Sequence, residues 1–217
     1  MIIVNIVRAA AVAIAALSGS VARNIWQTYQ LSNQEKPQLR LELPKEITKV
    51  DDALTKLKSM KRKELVQLYM SCDAPNDLSL IYGPWNGTLL ENNGWIMTSV
   101  SNLITYYFFG IGDRRWNGKT FAEDSTGWNR FKTKDGKIEL VHKIDLSLGP
   151  SGITDKYAAL AQYASYQSFF SPWQTMVDEL RVLKLDYVDG EILICMGYMG
   201  WSGGILNASP FCLHRMK

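Results

Sequence analysis

The residues of this 217-residue chain best equipped for chemistry are two histidines, three cysteines and the adjacent acids Asp178-Glu179. Two carboxyls act together as acid and base only when they converge on one reacting bond. Neighbours along a strand point to opposite faces, so Asp178 and Glu179 form a poor pair of that kind. His142 and His214 lie far apart in sequence and no C-x-x-C occurs, which argues against a zinc site. Cys72, Cys195 and Cys212 are odd in number. Buried free thiols are expected over a Cys195–Cys212 bridge, which would require the strands of those two residues to pair. No serine sits in a G-x-S-x-G elbow, and Gly110-Ile111-Gly112 lacks the rest of a nucleotide loop. No catalytic constellation emerges, and an enzyme acting on a lipid-like substrate is the weakest reading.

Aromatic surface is what the chain has in quantity. Trp95, Tyr106, Phe108, Phe121, Trp128, Tyr163, Trp173, Tyr198 and Trp201 are candidates to line a cavity for a hydrophobic ligand. Such pockets are mostly apolar with a few placed polar groups. The competing reading is that these rings fill a solid core. Were the ligand an acid, an inward guanidinium would pair with its carboxylate, and Arg130 and Arg181 are the candidates.

The elements that would position these side chains are short and turn-punctuated from Leu78 onward. Leu80-Ile81-Tyr82 reads as a first strand-like run, and Asn92-Asn93-Gly94 as a turn. Trp95–Phe109 is read as a short helix or lid. Trp116–Phe121 and Gly127–Lys132 are strand-like, and Asp135-Gly136 signals a hairpin into Ile138–Leu148, where apolar and charged residues alternate. Tyr157–Tyr163, Trp173–Arg181, Glu191–Tyr198 and Pro210–Arg215 follow as further strands. This spacing implies an antiparallel meander, preceded by an amphipathic helix over Asp51–Met70 (domain segment 51–71) and a linker over 23–50. Lys56, Lys58, Lys61, Arg62 and Lys63 on that helix form a basic patch, either a solvated face or an attraction to anionic lipid heads.

Residues Ile2–Ala22 are apolar but interrupted by Asn5 and Arg8. A retained membrane anchor, a cleaved signal ending near Ser20-Val21-Ala22, and an organelle-targeting helix all fit. Membrane lipid and the subunits of a membrane complex are the expected partners, in an organelle rather than the secretory pathway. A net charge of +3 and a pI near 8.7 are too mild, without a matching motif, for nucleic-acid binding.

One motif organises the meander. Gly83-Pro84-Trp85-Asn86-Gly87 is a G-x-W-x-G signature, and Trp116-Asn117-Gly118-Lys119-Thr120-Phe121 follows it. Glycines flanking Trp85 permit a bend and close backbone approach. Trp85 is large enough to plug one end of a barrel, with a guanidinium from a late strand stacked on it, Arg215 first and Arg181 second. With its second motif, the chain resembles the G-x-W-x-G domain family over about Leu78–Arg215, together with the lipocalin-like barrels found beside that domain. The resemblance implies a mainly β chain with an antiparallel lipocalin-like barrel over 72–217 and an internal cavity, and no established reaction. It implies no certain cofactor beyond a hydrophobic ligand. Because haem-binding barrels with a similar opening exist, His142 and His214 are weighed as iron ligands, and ordinary strand histidines are the expectation. Two functions follow: a membrane-tethered carrier of a lipid, pigment or quinone-like molecule, or a packed, non-catalytic accessory subunit of a membrane complex.

Overall fold

A computed structural model describes residues 2–33, 48–108, 110, 113–185 and 190–216; within these, the side chains of residues 2–14, 107, 108, 172 and 216 lie outside the description. Eight antiparallel strands close into a barrel in which every strand pairs with its sequence neighbours and β1 closes on β8. They are β1 Gly83–Leu89, β2 Arg115–Phe121, β3 Thr126–Lys132, β4 Ile138–Pro150, β5 Tyr157–Gln162, β6 Met176–Leu183, β7 Gly190–Met199 and β8 Ser209–Met216. This is the up-and-down, lipocalin-like, mainly β architecture, and closure leaves no free sheet edge. Asp135-Gly136 turns β3 into β4 as its residue types demand, with Gly136 at φ 87°. Leu78–Ile81 is a short 3-10 turn rather than the expected first strand, because the Asp77 carboxylate caps it through the Ser79 N–H; the strand starts only at Gly83.

Helices cover the outside. α1 spans Ile2–Ser32, α2 Val50–Ser59, α3 Arg62–Ser71, and α4 Trp95–Leu103 lies between β1 and β2. The segment expected as one helix over Asp51–Met70 is therefore two. Met60 and Lys61 are extended, and Glu64 accepts the Lys61 N–H at 2.7 Å, starting a new helix there. Helix α1 also continues through the first part of the expected linker. Leu17, Val21, Asn24, Thr28 and Leu31 recur at helical spacing, and Asn24, Thr28 and Leu31 are buried on the rest of the chain. Among the described residues, no helix is long and apolar enough to cross a membrane.

Two cores result, one on each side of the barrel wall. Leu54, Leu57, Leu65 and Tyr69 pack on Ile192, Ile194, Met196 and Cys212, which point outward from β7 and β8. Trp85, Phe121, Phe131, Ile144, Leu180 and Leu193 fill the interior. The three cysteines are free and buried. In the β7–β8 register Cys195 faces Phe211 and Cys212 faces Ile194, so the two thiols lie in different cores on opposite faces of the sheet and cannot bridge.

Candidate functional site: a half-filled barrel with a polar floor

The barrel is solid at one end and hollow at the other. At the solid end Trp85 is buried, and its indole N–H donates to the Ile81 carbonyl at 2.7 Å. The Arg215 guanidinium lies 4.1 Å above its ring and donates to the carbonyls of Tyr82 and Leu80 at 2.6 and 3.0 Å. The first glycine of the motif, Gly83, adopts φ 96°, which only glycine accommodates readily, and a Cβ there would meet the Arg215 guanidinium at 3.4 Å. Gly87 acts through space instead. A Cβ at Gly87 would fall 2.3 Å from the Trp116 ring, so the missing side chain is what lets that indole cross the interior. Gly118 has φ 125° at the β2 bulge, and its Cβ would strike the Trp85 carbonyl at 2.1 Å.

Beyond Trp116 the interior opens into a cavity of about 570 Å³. Leu89, Met176, Met199 and Phe211 supply barrel wall; Met97 and Val100 of α4 and Leu17 and Val21 of α1 cover the mouth. The covering helix is tethered by polar groups. The Asn24 amide donates to Asn207 at 2.9 Å and accepts from Asn93 at 2.8 Å. Arg62 reaches across from α3 and donates to Thr28 Oγ1 and the Ala208 carbonyl, each at 2.9 Å, and to Gln27 at 3.1 Å. Arg62 therefore leaves the expected basic patch and is wholly buried. Burial pulls its pKa down to about 10, with Glu91 acting the other way.

The cavity floor is charged. Lys119 points inward and its ammonium meets Asp178 Oδ2 at 2.7 Å, Asn129 Oδ1 at 2.8 Å and Tyr163 Oη at 2.6 Å. Tyr163 donates to Asp178 Oδ2 at 2.9 Å and accepts from Asn129 Nδ2 at 2.9 Å. The Trp116 N–H donates to Asn129 Oδ1 at 3.1 Å. Lysine and tryptophan can only donate, so together they fix the orientation of the Asn129 amide. Desolvation, and then the Asp178 charge, push the Tyr163 phenol well above its ordinary value. Gly197 leaves room for the carboxylate, since a Cβ there would lie 2.6 Å from Asp178 Oδ1.

Of the aromatics expected to line a cavity, Tyr163 and Trp201 do, while Tyr198 borders it from the outer face of β7, its hydroxyl 3.4 Å from Glu179 Oε1. Phe121 belongs to the packed interior, and Tyr106 and Trp173 pack against it from half-buried positions. Trp128 stacks with Lys143 outside, and Trp95 is 79% exposed because α4 turns Met97 inward instead. The Phe108 side chain lies outside the described residues. Neither arginine proposed for a carboxylate lines the cavity. Arg130 donates to the Trp85 carbonyl at 3.0 Å, and Arg181 lies on the outer face of β6 against the end of α3. His142, at φ 55°, is the extra residue of the β3–β4 bulge and packs edge-on against Phe131. His214 faces outward toward α2, paired in register with Asn86 and Ile192. The histidines therefore share no site, and no metal-holding group of side chains occurs among the described residues.

Sequence reasoning placed Lys119 in the structural motif and missed its polar partners Asp178 and Asn129. The signal was alternation: Lys119 shares a face with Phe121, and Asp178 with Leu180, so both charges sit two residues from an inward apolar side chain. No family model, curated protein or solved structure matches the chain.

Proposed function

We propose that this protein binds and carries a small hydrophobic molecule in the hollow half of its barrel, and that it does so at a membrane surface. The cavity carries the reading: about 570 Å³ lies within the range of sites that enclose a small ligand. The accessory-subunit alternative asked for a barrel packed throughout, and the open half favours the carrier.

The mouth supports the membrane part. The β1–β2, β5–β6 and β7–β8 connections emerge at the cavity end, and they present Trp95, Phe169, Phe170 and Trp201, which are 79, 78, 91 and 63% exposed. Exposed Lys132, Lys134 and Lys137 flank the β3–β4 hairpin at the same end. Aromatic tips beside lysines suit the headgroup layer of an anionic bilayer. The resemblance to G-x-W-x-G and lipocalin-like barrels agrees with a carrier.

The test is saturable fluorescence of N-phenyl-1-naphthylamine with the purified chain, repeated with Ser101→Trp, which adds bulk at the mouth. Saturable binding that the tryptophan abolishes supports the carrier; no saturable binding overturns it. Flotation with phosphatidylglycerol vesicles, compared between the chain and Phe169→Ser/Phe170→Ser, tests the membrane part. Unchanged flotation would remove the aromatic tips from the account.

A further inference from the structure

The floor of the cavity is selective, and its hydrogen-bond inventory says for what. An ammonium has three N–H donors. Those of Lys119 are all engaged, by Asp178 Oδ2, Asn129 Oδ1 and Tyr163 Oη. Tyr163 Oη accepts twice and donates once, so it too is saturated. Asn129 Oδ1 accepts from both Lys119 and Trp116.

Two capacities are left over. Asn129 Nδ2 uses one N–H, on Tyr163, and keeps a second. Asp178 Oδ1 takes no hydrogen bond from any described residue, yet the one fully enclosed, unpaired side-chain polar atom among them is Arg181 Nε. Asp178 Oδ1 therefore faces the cavity, although its side chain is only 2% exposed. An unpaired carboxylate oxygen in such a place is held ready for a donor. Lys119 already balances its charge, so a neutral donor completes the site without leaving a new charge uncompensated. An anionic head would meet a carboxylate oxygen and find no ammonium hydrogen free.

We infer that the ligand is a neutral apolar molecule ending in a hydroxyl group, which donates to Asp178 Oδ1 with Asn129 Nδ2 available to the hydroxyl oxygen. This rests on the carrier reading and narrows it, excluding the fatty-acid class for which an inward arginine was sought.

The experiment is displacement of N-phenyl-1-naphthylamine from the full chain by 1-decanol, 1-methoxydecane and decanoate at mildly alkaline pH. The ether keeps the oxygen and the chain but has no hydrogen to donate. A hydrogen bond to a charged group predicts that the alcohol binds about tenfold tighter than the ether or more. Decanoate should bind most weakly of the three. Gly197→Ala would set a Cβ 2.6 Å from Asp178 Oδ1, too close for the carboxylate to keep its place, and should erase the alcohol's advantage over the ether. Equal affinity of alcohol and ether, or tighter binding of decanoate, in the unmodified chain overturns the inference and leaves the carrier standing. Failure of all three to displace a saturably bound probe overturns the inference, and failure of the probe itself to bind overturns the carrier.

Discussion

Lys119→Met tests whether the floor is dry, on which its selectivity depends. The Lys119 and Asp178 side chains are 3 and 2% exposed and 2.7 Å apart. Methionine keeps most of the volume but removes the charge and all three donors. Stranding one member of a buried pair costs about 3–5 kcal/mol. For a chain of this size that amounts to a drop in Tm of roughly 6–20 °C. The assay is urea unfolding at neutral pH, with Lys119→Met, Asp178→Asn and the double variant forming a cycle. Asparagine can still accept from Tyr163 but no longer carries the stranded charge, so the double variant should recover part of the loss, with a coupling of about 2 kcal/mol or more. If Lys119→Met costs less than about 1 kcal/mol, the pair behaves as a solvated one. Water then reaches the floor, and the dry-site argument fails.

Gly87→Ala should destabilise by about 1–3 kcal/mol by thermal unfolding, because its Cβ would lie 2.3 Å from the Trp116 ring and 2.8 Å from Gly118 Cα; a neutral result would mean that Trp116 is not wedged there. Arg62→Met removes the clamp on α1 and should expose the bond after Arg23 to trypsin, while unchanged resistance would assign the tethering to the Asn24 network alone. His214 is held below its ordinary pKa of 6.5 chiefly by burial, with Asp51 and Lys58 of α2 acting in opposite senses. The unfolded chain takes that proton first, so this contribution is complete above about pH 6.5 and is lost as pH falls through the folded pKa; His214→Gln should flatten that slope in urea midpoints. Burial pushes the Cys72 and Cys212 thiols up to about 12 and Cys195 well above its ordinary value. The native chain should therefore stay inert to Ellman's reagent near pH 8 and release three thiols when unfolded, and rapid native labelling would contradict their burial.

The barrel was legible because its strands announce themselves twice, by alternation and by turn residues that tolerate positive φ. Asp135-Gly136 between two alternating runs is such a place, and β3 and β4 meet there. Gly83, Trp85 and Gly87 were legible as a unit because tight backbone geometry leaves a glycine trace. The lining was not, because an aromatic residue reads the same on either face of a helix or strand. Trp95 opens α4 with its ring in solvent, and only the helix phase, set by the burial of Met97, decides that. The break at Met60–Lys61 carries neither proline nor glycine. It is stabilised by Glu64 and by Glu91, which takes the Arg62 N–H at 2.7 Å, and the second of these is a tertiary contact that no local pattern encodes.

Strand β6 shows why the helices belong to the barrel. Asp178 points into the cavity; its neighbour Glu179 points out, and yet Glu179 is fully buried. Its carboxylate accepts from Tyr69 and Ser151, each at 2.6 Å, and from the Gly152 N–H at 2.9 Å. Two residues on, Arg181 also points out and is buried, its guanidinium 4.5 Å over the Tyr69 ring. It donates to the Tyr69 carbonyl at 3.2 Å, which also takes the Cys72 N–H, and to the Cys72 carbonyl at 3.4 Å, beyond the last helical bond of α3. Tyr69 thus holds a carboxylate with its hydroxyl while its ring and carbonyl hold a guanidinium. A barrel cut free at Cys72 would take Tyr69 from both groups, leaving Glu179 only Ser151 and Gly152, and bare the outward Ile192, Ile194 and Met196. Burial of two charges on the outer wall is sustained only if α3 stays in place, so α3 and the barrel constitute one cooperative unit.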